Sequence, residues 1–416
     1  MRKLVFAIVV GAASWAPLAH ARPAEPTGAA AAAAPGEREA LNLKVFDAVW
    51  RRTDRAYYDP KKVAGGWDLA RETWRAKAAA APDEDALYRV LNAMLATLDD
   101  EHAFATSPAQ KRRFETRMTP RAGIGLSLRR AADGIVVDDV RPDSPAADAG
   151  VETGWRVETA DGVPYQLGRD LTEGVAIRVG FRDPSGALRE MAIVPRLLQP
   201  PAEREVTAHL SGATVIRFDS FEKGTSAWLF DQVAALPPDT PVVVDLRRNR
   251  GGLIVEVQAA LGCFLDPGAP VLESRTRRGR EGEHKVRPGC RTARGPMTVL
   301  VGPRSRSGAE VFAAAVQESG RGRVVGERTA GMVLASITTR LPDGGELSLS
   351  ELDLVTGAGR RLEKTGVEPD VPASTSFADR KAGRDPALER AADLVAPQSR
   401  ASAAATTASG VMPNSR

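Results

Sequence analysis

Apolar residues recur at helical spacing in the first quarter of the chain. Leu41, Val45, Val49 and Trp50 form one stripe, and Leu87, Val90, Leu91, Met94, Leu95 and Leu98 form another, so residues 37–117 read as a helical region. The period then shortens. Gly123-Ile124-Gly125-Leu126-Ser127-Leu128 and Gly134-Ile135-Val136-Val137, leading on to Val140, are short apolar runs set off by glycine turns, and residues 118–198 read as a β-rich domain. Between residues 205 and 395, buried-type runs alternate with amphipathic stretches, the signature of an α/β layer. Two of those runs, Val242-Val243-Val244 and Met297-Thr298-Val299-Leu300-Val301, are uninterrupted and β-branched, as buried strands are. The first leads into Asp245-Leu246-Arg247-Arg248-Asn249-Arg250-Gly251-Gly252-Leu253, a polar turn with paired glycines. The second leads into Ser305-Arg306-Ser307-Gly308-Ala309-Glu310, a small-residue turn that opens an amphipathic helix through Val311, Phe312 and Val316.

The chain ends have a different texture. Arg2 and Lys3, an apolar stretch over residues 4–13 and Ala19-His20-Ala21 read as a secretory signal (residues 1–21) cut after Ala21. Residues 22–36 read as a flexible lead-in, and the Ala, Ser and Thr-rich residues 396–416 as a disordered tail. The expectation is a periplasmic or secreted protein with no membrane span. A formal charge of +4 over 416 residues, without a basic stripe, argues against a nucleic-acid partner. Arg275-Thr276-Arg277-Arg278-Gly279-Arg280 reads as a solvated loop. Cys263 and Cys290 either form one disulfide closing the loop between them or remain two separate thiols; their spacing does not decide. No His/Cys cluster has ligand spacing, so neither a metal nor another cofactor is expected.

A serine between a buried strand and a helix N-terminus has its hydroxyl beside unpaired N–H groups that favour a developing negative charge. Ser305 and Ser307 both occupy that junction, where a serine also serves as a plain helix cap. Nucleophilic chemistry further requires a base and donors for the oxyanion. Backbone N–H groups of Gly252 (or Gly251) and Gly308 suit the second need, since glycine lets the chain approach a scissile carbonyl closely.

Two further blocks, Val324-Val325-Gly326-Glu327-Arg328-Thr329-Ala330-Gly331 and Thr365-Gly366-Val367-Glu368-Pro369-Asp370, complete a pattern. In this order the four blocks resemble the C-terminal processing peptidases (tail-specific proteases) and their relatives around the tricorn protease, over residues 37–373. The resemblance implies a crotonase/ClpP-like α/β peptidase core with an N-terminal helical segment and an inserted PDZ-like domain. In that insert Gly123, Ile124, Gly125 and Leu126 would offer N–H groups to a peptide's terminal carboxylate. Gly154-Trp155 departs from the insert's usual Gly-Asp.

The resemblance places the nucleophile at Ser307. It places the peptidases' catalytic lysine at Met332, and that lysine's polar support at Ser336. A thioether accepts no proton at physiological pH, so the Ser–Lys dyad is missing. The tricorn-like branch uses a histidine from an Asp-x-His element ahead of the PDZ-like domain, which here implies His102; His209 and His284 look incidental. The same branch implies Glu363 as the orienting acid, with Asp99 or Glu101 as other choices. The implied function is an exported serine endopeptidase of Ser–His type. It would act on protein or peptide substrates, with the PDZ-like domain binding their C-termini or gating the site, and an oligomer is left open. The alternative is an inactive, peptide-binding pseudo-peptidase, its decay marked by Met332.

Overall fold

The computed structural model describes residues 35–396, apart from 65, 116–119, 132–133, 166–168, 200–202, 210, 291–292, 377–378, 380–381 and 383. The expected signal segment and nearly all of the lead-in and tail lie outside the described residues.

The helical reading of the first segment holds for Pro35–Ala56, Trp67–Ala79 and Glu84–Leu95, whose stripes meet in a core around Val45, Phe46, Val49, Leu87, Leu91 and Leu95. Asp83 caps the third helix, its carboxylate accepting the Ala86 N–H at 2.7 Å. The segment is not helical throughout. At Asp99 the backbone turns left-handed (φ 48°), and Phe104–Thr106 forms a strand antiparallel to Glu346–Thr356, with Phe104 opposite Ser348. Three residues are too few to display a period of two, which is why the pattern concealed them. Leu341, Leu347 and Leu349 join the helical core, so the first helices and the late hairpin Ala335–Arg340/Glu346–Thr356 are one packed unit.

The α/β layer is a six-stranded sheet in chain order: Arg204–Ala208, Thr214–Phe218, Val242–Asp245, Met297–Val301, Arg323–Gly326 and Val371–Pro372. Its first pair is antiparallel and the rest are parallel. Both faces are covered, which explains the unbroken apolar runs. Ile216, Val244 and Val299 face a core shared with Val257 of helix Ile254–Leu261 and Phe312 of helix Gly308–Glu318. Val215, Val243 and Leu300 face Ala387 and Ala391 of helix Pro386–Asp393.

The basic run 275–280 is not a free loop. It is the turn of a hairpin, Pro270–Thr276 against Gly279–Lys285, whose first strand also pairs with Glu346–Thr356. Cys263 and Cys290 are joined as a disulfide spanning this hairpin.

The β-rich segment forms its own six-stranded sheet, from Leu126–Ala131 to Leu188–Ile193, around Val137, Val157, Val179 and Phe181. Trp155 is buried there, edge-on to Phe181 at 5.8 Å and covered by the Arg189 guanidinium, so the sequence departure at this position is core filling. This unit touches the α/β layer through Arg304, whose Nη1 lies 3.4 Å from Asp138 and 3.7 Å from Asp139.

The disulfide closes a sequence separation of 27 residues, for which loss of unfolded-state entropy amounts to about 3–4 kcal/mol. Cys263→Ala/Cys290→Ala should therefore lower unfolding stability by that order in a urea titration. Wild type under strong reductant should match the double variant.

Candidate active site

Strands Val242–Asp245 and Met297–Val301 run parallel, Val244 opposite Val299, so the turns that follow them lie side by side at one end of the sheet. Ser305 ties the two turns together. Its hydroxyl donates to Leu246 O at 2.8 Å and accepts the Gly302 N–H at 3.0 Å, fully buried. Ser307 is the other kind of serine: half-buried, at the N-cap of Gly308–Glu318, with φ 54° and ψ −118°. A positive φ on a residue with a side chain costs energy and persists only where neighbours over-determine it.

Those neighbours are identifiable. The Ser307 N–H is shared between Met332 O at 2.8 Å and Glu310 Oε2 at 2.9 Å. The Glu310 N–H is directed at the Ser307 carbonyl at 2.9 Å, so the return arm of a capping box, from Glu310 N–H to the serine hydroxyl, is only loosely made. The Glu310 carboxylate is wholly buried. Oε1 accepts the Thr329 hydroxyl at 2.6 Å and the Gly331 N–H at 2.7 Å, while Oε2 also accepts the Met332 N–H at 3.0 Å. Burial raises its pKa above the usual glutamate range even though all these donors oppose the shift.

Glycines shape the space beside Ser307. A Cβ on Gly251 (φ +85°) would lie 2.6 Å from Ser307 Cβ and 2.7 Å from Gly308 N, and one on Gly252 (φ +144°) would lie 2.4 Å from Phe221 O. The Gly251 N–H is taken by Asn249 Oδ1 at 2.8 Å. Among the described residues, the N–H groups of Gly252 and Gly308 donate to no protein acceptor, and Gly252 N lies 3.3 Å from the Cβ position of Gly308. Two unpaired donors therefore flank the serine, and Gly252 rather than Gly251 is the one free to act.

Met332 stands against Ser307, as the bond between their main chains requires. Ser336 is exposed on its strand, opposite Ser350. The Glu363 carboxylate is buried and accepts the Val333 N–H at 2.8 Å, holding the segment that carries Met332. Asp99 is exposed and lies 3.6 Å from Lys364 Nζ.

His102 lies in the turn between Asp99 and strand Phe104–Thr106, its side chain 14% exposed. The carboxylate paired with it is Asp100, whose Oδ1 accepts the His102 N–H at 2.9 Å and stands 3.6 Å from Nδ1. Burial would raise the Asp100 pKa, but the neighbouring polar groups of His102 and Ser350 bring it below the usual carboxylate range. The turn faces the nucleophile loop: the Glu101 charge acts on Arg306, next to Ser307, partly offsetting the lowering that burial and Arg250 impose on that guanidinium. Among the described residues no hydrogen bond joins the His102 ring to Ser307 Oγ; such bonds commonly tighten only with substrate in place. A cleft of about 640 Å³ opens alongside, walled by Tyr58, Asp99, Arg277, Arg361, Glu363 and Lys364. His209 and His284 are engaged elsewhere, with Ser211 and with Ser274 respectively.

Sequence reasoning passed over Asp100 and Glu310. The first lay unremarked inside the Asp-x-His element, and the second stands three residues after Ser307, where a capping residue belongs.

The profile of Peptidase family S41 matches residues 212–373, and that of the tricorn protease C1 domain matches residues 40–96. The chain is 28% identical over 372 residues to the C-terminal processing peptidase, chloroplastic, of Tetradesmus obliquus, spanning 82% of this chain and 79% of that protein. It is 28% identical over 363 residues to carboxyl-terminal-processing peptidase 2, chloroplastic, of Arabidopsis thaliana, spanning 81% and 69%. In fold it resembles the photosystem II D1 C-terminal processing protease, with TM-score 0.61 and 23% identity over 86% of this chain and 97% of that one.

Glu310→Gln should expose the role of the buried carboxylate. An amide cannot accept at both ends, so at least one backbone N–H loses its acceptor, at a cost of about 1–3 kcal/mol near neutral pH. A folded-state pKa raised above the unfolded value contributes stability that is full below the ordinary glutamate range and lost as pH rises through the raised value. Urea unfolding of wild type should show this decline with pH, and the variant should lack it. Equal stabilities at neutral pH would refute the assignment.

Proposed function

We propose that this chain is a C-terminal processing peptidase of the Peptidase family S41 type, whose model matches residues 212–373, and that it is an exported serine endopeptidase using Ser307 and His102. The reading rests above all on one observation: a strained N-cap serine with two unpaired N–H groups, Gly252 and Gly308, beside it.

In the proposed reaction Ser307 Oγ attacks the scissile carbonyl carbon while His102 Nε2 takes the hydroxyl proton. The carbonyl π pair moves onto oxygen, where the Gly252 and Gly308 N–H groups stabilise the anion. Collapse expels the amine, which receives the proton from His102. Water then repeats the sequence on the acyl-enzyme, releasing the acid and restoring the serine. Glu363, the orienting acid by resemblance, also seats residues 332–333, its Oε2 accepting the Val333 N–H. Met332 supplies a main-chain acceptor to Ser307 and no proton chemistry.

The β-rich unit is read as the PDZ-like domain. Supporting this, Gly125 has φ +83° with its missing Cβ against Ser144, and the N–H groups of Ile124 and Gly125 bond to nothing among the described residues. A substrate's terminal carboxylate would be held there, with the preceding residues added along the strand edge. Met332 beside the serine also favours a second reading, in which the fold binds peptides without cutting them. No described helix is long and apolar enough to cross a membrane.

A fluorophosphonate probe should label wild type at Ser307 and leave Ser307→Ala unlabelled. His102→Ala should slow casein hydrolysis by about 10³-fold or more, and Met332→Leu should stay within about threefold of wild type, a change under 1 kcal/mol in barrier. Wild type that binds a peptide through its C-terminus yet neither labels nor cleaves would establish the pseudo-peptidase instead. Loss of activity in a folded Met332→Leu would sink the present account of the base.

A further inference from the structure

The histidine base proposed above needs a group to set its tautomer, and the turn supplies one in the residue two places before it. Asp100 Oδ1 is held by the His102 main-chain N–H and faces Nδ1, and the Asp100 side chain is only 1% exposed. Its charge is therefore little screened by water. The other oxygen, Oδ2, is buried, as are the hydroxyls of Tyr57 and Ser350 that face Asp100, and none of these three atoms makes a hydrogen bond among the described residues. Tyr57 follows helix Pro35–Ala56 and Ser350 lies on strand Glu346–Thr356; the Tyr58 N–H on Ser350 O at 3.0 Å fixes the two segments side by side. Buried polar groups in native proteins find partners. One arrangement satisfies all of these: both hydroxyls donate to Oδ2 while Oδ1 receives the amide and the Nδ1 proton.

We infer that Asp100, braced by Tyr57 and Ser350, is the positioning residue for His102. It holds the ring proton on Nδ1, leaves Nε2 to accept the Ser307 proton, and stabilises the imidazolium that results. Asp100 touches neither substrate nor nucleophile; it acts through the ring. The inference rests on the Ser307–His102 reading and gives the first residue of the Asp-x-His element a defined task.

The test uses the full chain lacking residues 1–21, with fluorescein-labelled casein for kcat and KM and the fluorophosphonate for acylation. Asp100→Asn should lower kcat and labelling rate by about 10²–10⁴-fold, with KM within about twofold and the thermal midpoint close to wild type. Tyr57→Phe and Ser350→Ala should each lower kcat by about 2–10-fold. Neither should add to the loss already present in Asp100→Asn, because the acceptor they brace is gone. A general loss of packing would instead lower the midpoint and add across the variants. Full kcat in folded Asp100→Asn, or additive losses, overturns the inference. Should Asp100→Asn fail to fold, unaltered kcat in both hydroxyl variants overturns it. His102→Ala separates the two levels: if it keeps wild-type turnover, both readings fall, whereas a dead His102→Ala beside an unimpaired Asp100→Asn removes this one alone.

Discussion

The geometry of the site depends on one buried carboxylate. Glu310 accepts from the Ser307 amide, the Thr329 hydroxyl and the amides of Gly331 and Met332, and so joins the helix start to a loop some twenty residues further on. An anion in a water-free interior is unfavourable alone, and it is retained because every oxygen is doubly bonded to donors. What the arrangement secures is a serine in a conformation that an ordinary N-cap does not adopt. Helix, strained cap and the Met332 loop thus stand or fall together.

Much of this was visible in the chain. The continuous β-branched runs at 242–244 and 297–301 mark strands buried on both faces, and they are the central parallel pair. Paired glycines at 251 and 252 mark a close approach, and the structure shows what is approached: Ser307 and Phe221. The choice between Ser305 and Ser307 was not legible from local pattern, because both sit in the same small-residue turn. Three-dimensional packing separates them, binding one hydroxyl to the neighbouring turn and leaving the other half-buried at the helix start.

Other features were hidden for physical reasons. Asp100 sits in Asp99-Asp100-Glu101, three acids that look alike along a chain; only folding buries the middle one and leaves Asp99 in solvent. The strand Phe104–Thr106 is too short for alternation to betray, yet it places the histidine-bearing turn. The run 275–280 looked solvated because its arginines dominate it, whereas its ends pair with each other across a hairpin and Arg275 also pairs with Asp353. Trp155 looked like a departure and proves to be ordinary core.

Among the described residues, strand Phe104–Thr106 pairs only with one that begins at residue 346. During synthesis, the imidazole of the proposed pair emerges roughly two hundred residues ahead of the Ser307 hydroxyl, and the strand that seats its turn arrives later still. A nascent or truncated chain lacking that late strand leaves the proposed pair unaligned, so the two groups come into register only after residues 346–356 have been made.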